Sequence, residues 1–522
     1  MSGVRLKGKR EVHRLMNSKK HIKRICFVVL LIALFIDTAV AGLFAWFQDS
    51  YGVTFREIIY TIKSPLAGAN SSFFLGAVRY VAPKMAAFIV VLFIAVILFF
   101  VTEKYVAVDL FLRSRSGREK KVNVIGIAAA LLFAAVVVYS VKIISDINSR
   151  LQISQFIRDY TARTEIYEDY YVMPDVDKIS SDNPKNLIYI YMESMETTYA
   201  SKDVGGEQPE INYIPNLTKL AEDNISFSDE EGLGGFISAK DTDWTMAAMW
   251  ATQTGAAFNF PIEGNSDFGN QEHFAKNTVT LGDILNQKGY YQEFLCGSDA
   301  TFGGRKAFFE QHGDFRVYDL YTAEEEGYLT PAEEVNWGIE DWLLYDIAKD
   351  ELTRIAAQDE PFNFTLLTVD THHFDGWICP HCGNDYPEQL ANVVVCADKQ
   401  IYDFIEWCKV QDWYDDTVII IQGDHPRMDQ SLVSYAKDRM VYNCFINTDF
   451  DASELKLKNR QFNTMDIFPT VLEAMGYSVP GDRLGLGTGM FSGRETLCET
   501  IGSDYIDTEV QKYSQFYADN FY

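Results

Sequence analysis

Hydrophobic positions in this chain follow two regimes. The first 145 residues hold three long apolar runs: ICFVVLLIALFIDTAVAGLFAWF (25–47), VAPKMAAFIVVLFIAVILFFV (81–101) and VIGIAAALLFAAVVVYSVKII (124–144). Each is near the ~20 residues that cross a bilayer as a helix, so three transmembrane helices are expected over 25–144. The first run exceeds a secretory h-region, follows a long basic leader and precedes two more runs. It therefore reads as a span and not as a cleaved signal, despite the AVA at 39–41. Beyond residue 185 the apolar runs are short and rich in β-formers: NLIYIYMES (186–194), NISFSD (224–229), YYQEFLCG (290–297), FNFTLLTVD (362–370) and TVIIIQGDH (417–425). Helical stretches separate them, among them IPNLTKLAED, TLGDILNQKG and KQIYDFIEWCKV. This alternation predicts a layered α/β domain with a largely parallel sheet, whose ligands gather at the carboxyl ends of the strands. Residues 145–185 read as a helical stalk and linker, 186–500 as the globular domain and 501–522 as an acidic tail. No internal repeat or low-complexity tract interrupts the pattern.

Charge adds an orientation. Residues 1–24 are strongly basic and form a cytoplasmic N-terminus, and a second basic group, Lys104 to Lys121, follows the second apolar run. Lys and Arg collect on the cytoplasmic side, which puts the 48–80 loop and everything after residue 145 outside the cell in a multi-pass arrangement. The formal balance is +13 over residues 1–145 and −40 over the remainder. A domain that acidic would repel a phosphate backbone, which argues against nucleic acid as a partner. It would also repel a phosphate substrate unless a bound cation reversed the local field. Of the eight cysteines, Cys26 lies in the first apolar run. CPHC (379–382) has the spacing of half a zinc site but lacks a second Cys pair, so a disulfide loop, Cys382 with Cys396, is the expectation.

Polar residues stand where strand-end ligands belong. The first strand ends on Glu193, the fourth leads into DTHH (370–373), and the fifth ends on Asp424 and His425. Two carboxylates and an imidazole suit a divalent cation. Each also has an ordinary explanation: Glu193 as a helix cap, His425 as a turn histidine, His372 and His373 as exposed loop residues. DTDWTMAAMWATQTG (241–255) adds threonines at a helix start, where unpaired N–H groups attract anions. Thr242 there is either an N-cap or a nucleophile.

The stretches NLIYIYMESMETTY, DTDWTMAAMWATQTG, LGDILNQKGY, TVDTHHFDG, TVIIIQGDH, NTMDIFPTVLEAMG and LGLGTGMFSG occur in that order across 186–495. Together they resemble the membrane-bound phosphoglycerol transferases of the sulfatase and alkaline-phosphatase superfamily, and more distantly the lipoteichoic acid synthases. The resemblance implies Glu193, Asp424 and His425 as metal ligands and Thr242 as both ligand and nucleophile. It prefers Thr242 to Thr245 because Met249 and Gly255 then keep the family's spacing. His372 takes the place of a substrate-side histidine, with His373 beside it, although Phe374 stands where the family has proline. Arg305 matches an arginine that grips the substrate phosphate, and Gly303 replaces a nearby tryptophan of the lipoteichoic enzymes.

The implied reaction moves glycerol phosphate from phosphatidylglycerol to a glucan, a glycolipid or a glycerol-phosphate polymer. It runs through a threonine-bound intermediate at a divalent metal, Mn²⁺ first and Mg²⁺ or Zn²⁺ otherwise, on the outer face of a bacterial inner membrane. Two rivals stand beside this reading: a phosphoethanolamine transferase, which would share Thr242 and the metal site but carry a different sequence around the nucleophile, and a non-catalytic membrane scaffold that retains the fold, which would show a degraded metal site. A sulfatase would want a modifiable Cys or Ser followed by Pro and Arg, which TDWTMAA lacks.

Overall fold

The computed structural model describes residues 25–46 except 26, 54–63, 72–105, 109–113, 119–260 and 274–521, apart from 276, 336, 373, 435, 437 and 438. The chain divides into two compact units: residues 1–54 with 71–154, and residues 55–70 with 155–522.

The first unit is helical where the apolar runs predict helices. Phe27–Trp46 is long and apolar enough to cross a membrane. Ser72–Tyr105 and Val124–Leu151 cover the second and third runs, and an antiparallel hairpin pairs Asp109–Arg113 with Glu119–Asn123 between them. Large apolar side chains such as Val29, Ile36, Phe93, Leu131 and Val138 are exposed on these helices. Asp37, a carboxylate inside the first helix, accepts a hydrogen bond from Ser140 in the third.

The second unit is built on a six-stranded sheet. Its strands are β1 (Asn186–Met192), β2 (Tyr291–Cys296), β3 (Arg316–Tyr318), β4 (Phe362–Leu367), β5 (Thr417–Gly423) and β6 (Asn443–Ile446), in the spatial order β6-β5-β1-β4-β2-β3. All neighbours run parallel except β6, which is antiparallel to β5. The two-residue period of a strand sends successive side chains to opposite faces. Leu187, Tyr189 and Tyr191 of β1 accordingly enter one apolar core, and Ile188, Ile190 and Met192 enter the other. Helices Thr245–Thr254, Leu281–Gln287 and Ile467–Ala474 cover the first face, and Pro215–Asp223, Asp341–Ala356 and Gln389–Cys408 cover the second. The result is the expected layered α/β domain with a largely parallel sheet, its helices on both faces.

Three details differ from the sequence reading. The run 224–229 is no sheet strand: it contributes one bridge, Ile225 to Phe445, and beyond it Ser226 Oγ and the Phe227 N–H donate to Asn443 of β6 in place of a continued ladder. The stalk segment places Ile166, Tyr167 and Ile179 in the core. The last residues form helices Ser503–Val510 and Gln515–Phe521, whose Tyr517 and Phe521 are buried with Tyr167. Aromatic content outweighs the acidic charge of that segment and docks it.

Candidate metal centre

Strand register creates the centre. β1 and β5 are adjacent, with Met192 paired to Gly423, so the next residues along each strand emerge side by side. The Asp424 N–H donates to the Met192 carbonyl at 3.1 Å. Gly423 is required there, since a Cβ would lie 1.9 Å from the Met195 carbonyl oxygen. Glu193, Asp424 and His425 are all buried, and one ligand atom from each lies within 4.8 Å of the others.

Hydrogen bonds fix which atoms face inward. Asp424 Oδ1 accepts from the backbone N–H groups of Ser194 at 2.7 Å and His425 at 2.8 Å. Its Oδ2 has no hydrogen-bond partner among the described residues and lies 3.3 Å from His425 Nε2. His425 Nδ1 sits 2.8 Å from the Pro426 carbonyl, which can only accept, so Nδ1 carries the proton and Nε2 presents its lone pair. Ser194 Oγ donates to Glu193 Oε1 at 2.6 Å, leaving Oε2 facing Thr245.

The two candidate threonines separate here. Thr245 begins helix Thr245–Thr254, and its Oγ1 is 3.4 Å from Glu193 Oε2 and 3.4 Å from His425 Nε2. It is partly exposed, and no side chain caps its helix. Thr242 is fully buried: its hydroxyl donates to the Ala239 carbonyl at 2.8 Å and shares a 2.8 Å bond with Thr464. The structure thus brings Thr245, and not the expected Thr242, beside Glu193 and His425. The reason is local. Thr242 closes a tight turn on Ala239, after Asp241 at φ 60°, and that turn directs its side chain away from the strand ends.

His372 lies near enough for its charge to act on Glu193, and its ring meets the Trp337 ring edge-on at 4.8 Å. His373 lies outside the described residues. Arg305 is buried, donating to the Phe302 and Asp299 carbonyls and to Ser298 Oγ, and its guanidinium lies 5.9 Å from the Phe302 ring. Phe302 in turn meets Trp337 at 5.4 Å, so Arg305 braces the aromatic wall beside His372. Trp337, Ser194 and Arg427 escape a reading of the sequence. Arg427 is buried, forks onto Asp429 and donates to the Thr371 carbonyl at 2.7 Å, steadying the residue before His372. The Arg-x-Asp spacing close after Asp424-His425 is the available signal.

Electrostatics favour a cation. Burial, then the charge of Glu193, pushes Asp424 up to about 7. Burial pushes Glu193 the same way, but His372, His425 and the Ser194 hydroxyl outweigh it and hold that carboxyl below its usual range. Burial lowers His425, and the two carboxylates more than reverse this. Two carboxylates, an imidazole lone pair and a hydroxyl, with one buried oxygen lacking a hydrogen bond among the described residues, fit a divalent cation.

The sulfatase family model matches residues 185–477. Over 322 residues the chain is 34% identical to phosphoglycerol transferase I of Salmonella choleraesuis, covering 60% of this chain and 40% of that protein. Identity to the Salmonella typhimurium protein of the same name is also 34%, over 323 residues and the same shares. The chain thus spans about 40% of the length of these relatives. Among solved structures, a Vibrio parahaemolyticus protein of the alkaline phosphatase superfamily is 21% identical, with a TM-score of 0.43 over 59% of this chain and 72% of that one. Lipoteichoic acid synthase LtaP from Listeria monocytogenes is 19% identical, with a TM-score of 0.47 over 61% and 80%. The family match takes in more than half of the chain and every residue of the centre, and by it this protein belongs to the sulfatase family.

Proposed function

We propose that this protein is a membrane-anchored, metal-dependent phosphoglycerol transferase with Thr245 as its nucleophile. The observation that carries the reading is the 3.4 Å approach of an accessible threonine hydroxyl to both Glu193 and His425 at the start of a helix. Thr245 gives up its hydroxyl proton to solvent, its Oγ attacks the phosphorus of phosphatidylglycerol, and the bond from phosphorus to the diacylglycerol oxygen breaks. A proton from His372 goes to that leaving oxygen, and glycerophosphoryl-threonine remains. An acceptor hydroxyl on a glucan, a glycolipid or a glycerol-phosphate chain then attacks the same phosphorus and loses its proton to His372, while the bond from phosphorus to Thr245 Oγ breaks and Thr245 takes a proton back from solvent.

A divalent cation held by Glu193, Asp424, His425 and Thr245, Mn²⁺ in first place, would lower the hydroxyl pKa and offset phosphoryl charge. The N–H groups of the first turn of helix Thr245–Thr254 add donors for that charge. Arg305 supports the phosphate side by holding Phe302 and, through it, Trp337 and His372. The three apolar helices anchor the chain in a bacterial inner membrane with the catalytic unit outside. A lipid donor keeps its acyl chains in the bilayer, so this tether turns a rare encounter into a local one.

The test uses the full chain in mixed vesicles, with headgroup-labelled phosphatidylglycerol in one arm and phosphatidylethanolamine in the other. Glycerophosphate on the peptide that contains Thr245, formed only from phosphatidylglycerol and only with a divalent ion, is the expected result. Label from phosphatidylethanolamine alone would make the protein a phosphoethanolamine transferase. No label from either lipid would make it a scaffold that keeps the fold.

A further inference from the structure

The described residues hold a second cluster of metal-binding side chains, remote from the transfer chemistry in composition. The seven described cysteines are all free thiols, so the disulfide expected between Cys382 and Cys396 is not formed. Three of them instead converge. Cys379 Sγ lies 3.6 Å from Cys382 Sγ and 3.7 Å from Cys396 Sγ, and all three sulfurs fall within 4.8 Å of one another. Cys379 and Cys396 are buried, and Cys382 is partly exposed.

The separations are informative. A disulfide brings its sulfurs to about 2.0 Å. Four thiolates around a tetrahedral zinc at about 2.3 Å stand about 3.8 Å apart along each edge. The distances from Cys379 match the second figure. Backbone geometry agrees: the Cys382 N–H donates to the Cys379 carbonyl at 3.1 Å, closing the tight turn that lets a Cys-x-x-Cys pair grip one ion. The third sulfur comes from helix Gln389–Cys408, and Gln400 one turn later points its amide at the cluster. Gln400 Nε2 lies 3.0 Å from Cys396 Sγ and 3.7 Å from Cys379 Sγ, while its buried Oε1 has no hydrogen-bond partner among the described residues. Half a turn of the amide exchanges those atoms and offers an oxygen toward the fourth vertex.

We propose that Cys379, Cys382 and Cys396 form a second metal centre, a thiolate site for zinc or a similar borderline-soft divalent ion. Its role is to fasten the loop that carries His372. Between that histidine and the cysteines the chain is already pinned three times. The Trp377 N–H donates to the Asp370 carbonyl at 2.7 Å, Trp377 Nε1 donates to Glu340 at 2.8 Å, and Gln389 donates to the Gly376 carbonyl at 2.9 Å. An ion shared by the turn and the helix would lock the far end of the same segment. The inference does not depend on which reaction the protein performs.

The test is cobalt substitution in the full chain, purified with reductant, stripped of metal and titrated with Co²⁺. Only thiolate ligation gives the intense sulfur-to-cobalt charge-transfer band in the near ultraviolet, so the oxygen and nitrogen centre at Asp424 is silent in that readout. The band is expected at one equivalent in wild type, unchanged in His425→Ala and lost in Cys396→Ser and Cys379→Ser. Zinc measured in the native protein, and released when a mercurial titrates three thiols, gives the same answer without relying on a variant that folds. A wild-type protein with no charge-transfer band overturns the proposal. So does a disulfide linking any two of the three cysteines in protein isolated without reductant, or a band that survives Cys396→Ser.

Discussion

Thr245 Oγ1 and His425 Nε2 stand 3.4 Å apart, although 180 residues of chain separate them. Their contact makes a sharp distinction between neighbouring threonines. Thr245→Ala removes the hydroxyl that faces the centre and is expected to lower transfer by about a thousandfold or more while leaving the melting temperature nearly unchanged. Thr242→Ala removes a buried hydrogen bond to Ala239, costing about 1 kcal/mol of stability, and keeps turnover within a few-fold. Lipid transfer assays with thermal melts of both variants check this, and the reverse pattern would return the nucleophile to Thr242.

Asp424→Asn tests the orphaned oxygen. Asn keeps an acceptor for the Ser194 and His425 N–H groups but replaces Oδ2 with a neutral amide. In the absence of ions the variant is expected to melt higher than wild type at pH 8, because an uncompensated buried charge is gone. The rise in melting temperature that wild type gains from added Mn²⁺ should vanish. A variant that melts lower without ions, or that still gains the full rise, contradicts the ligand assignment.

Arg56 makes a third case. In helix Phe55–Lys63 its guanidinium pairs with Asp241 at 2.9 Å, both side chains buried, and donates to Asn259 and to the Gln511 carbonyl. Removing one partner of a buried pair costs about 3–5 kcal/mol. Burial already pushes Asp241 up to about 7 against the opposing pull of Arg56, so losing Arg56 raises it further. Arg56→Ala should therefore destabilise most above pH 7, where Asp241 must be charged, and least near pH 5. Melting curves across that range measure the slope.

Asp341 and Asp370 give the chain a pH dependence of its own. Asp341 accepts from the Val369 and Asp370 N–H groups, and Asp370 accepts from the Asp341 N–H. Burial pushes Asp341 up to about 7, and burial followed by the charge of Asp341 pushes Asp370 up to about 10. Raised acids bind protons in the folded state that the unfolded chain has released. Their stabilisation is fully present below about pH 4 and is lost as pH climbs toward the folded values. The melting temperature should fall between pH 5 and pH 8, and Asp370→Asn should flatten that fall by several degrees. An unchanged slope in the variant would remove the pair from the account.

Much of this site is readable from short apolar strands and the polar residues at their carboxyl ends. Glu193 and Asp424-His425 are legible because an apolar run that stops on such residues has little choice but to place them at the sheet's edge, and adjacency of β1 and β5 does the rest. The choice between Thr242 and Thr245 is not legible by spacing. Gly255, used as a ruler, is the left-handed cap of the helix at φ 65°, so it reports where that helix ends and says nothing of which hydroxyl precedes its first turn. The turn at Ala239 to Thr242, with a positive φ at a non-glycine residue, decides that, and sequence periodicity carries no trace of it. Strands β3 and β6 leave no signature because three or four residues are too few for alternation to register.

The pairing of Met192 with Gly423 has a consequence for the order of events in the life of the molecule. Its two carboxylates come from strands more than two hundred residues apart in the sequence. A chain in which these strands are not yet paired does not bring them together, so the centre is assembled only when the last parallel strand closes against the first. A freshly made copy therefore has no assembled centre until its topology is complete.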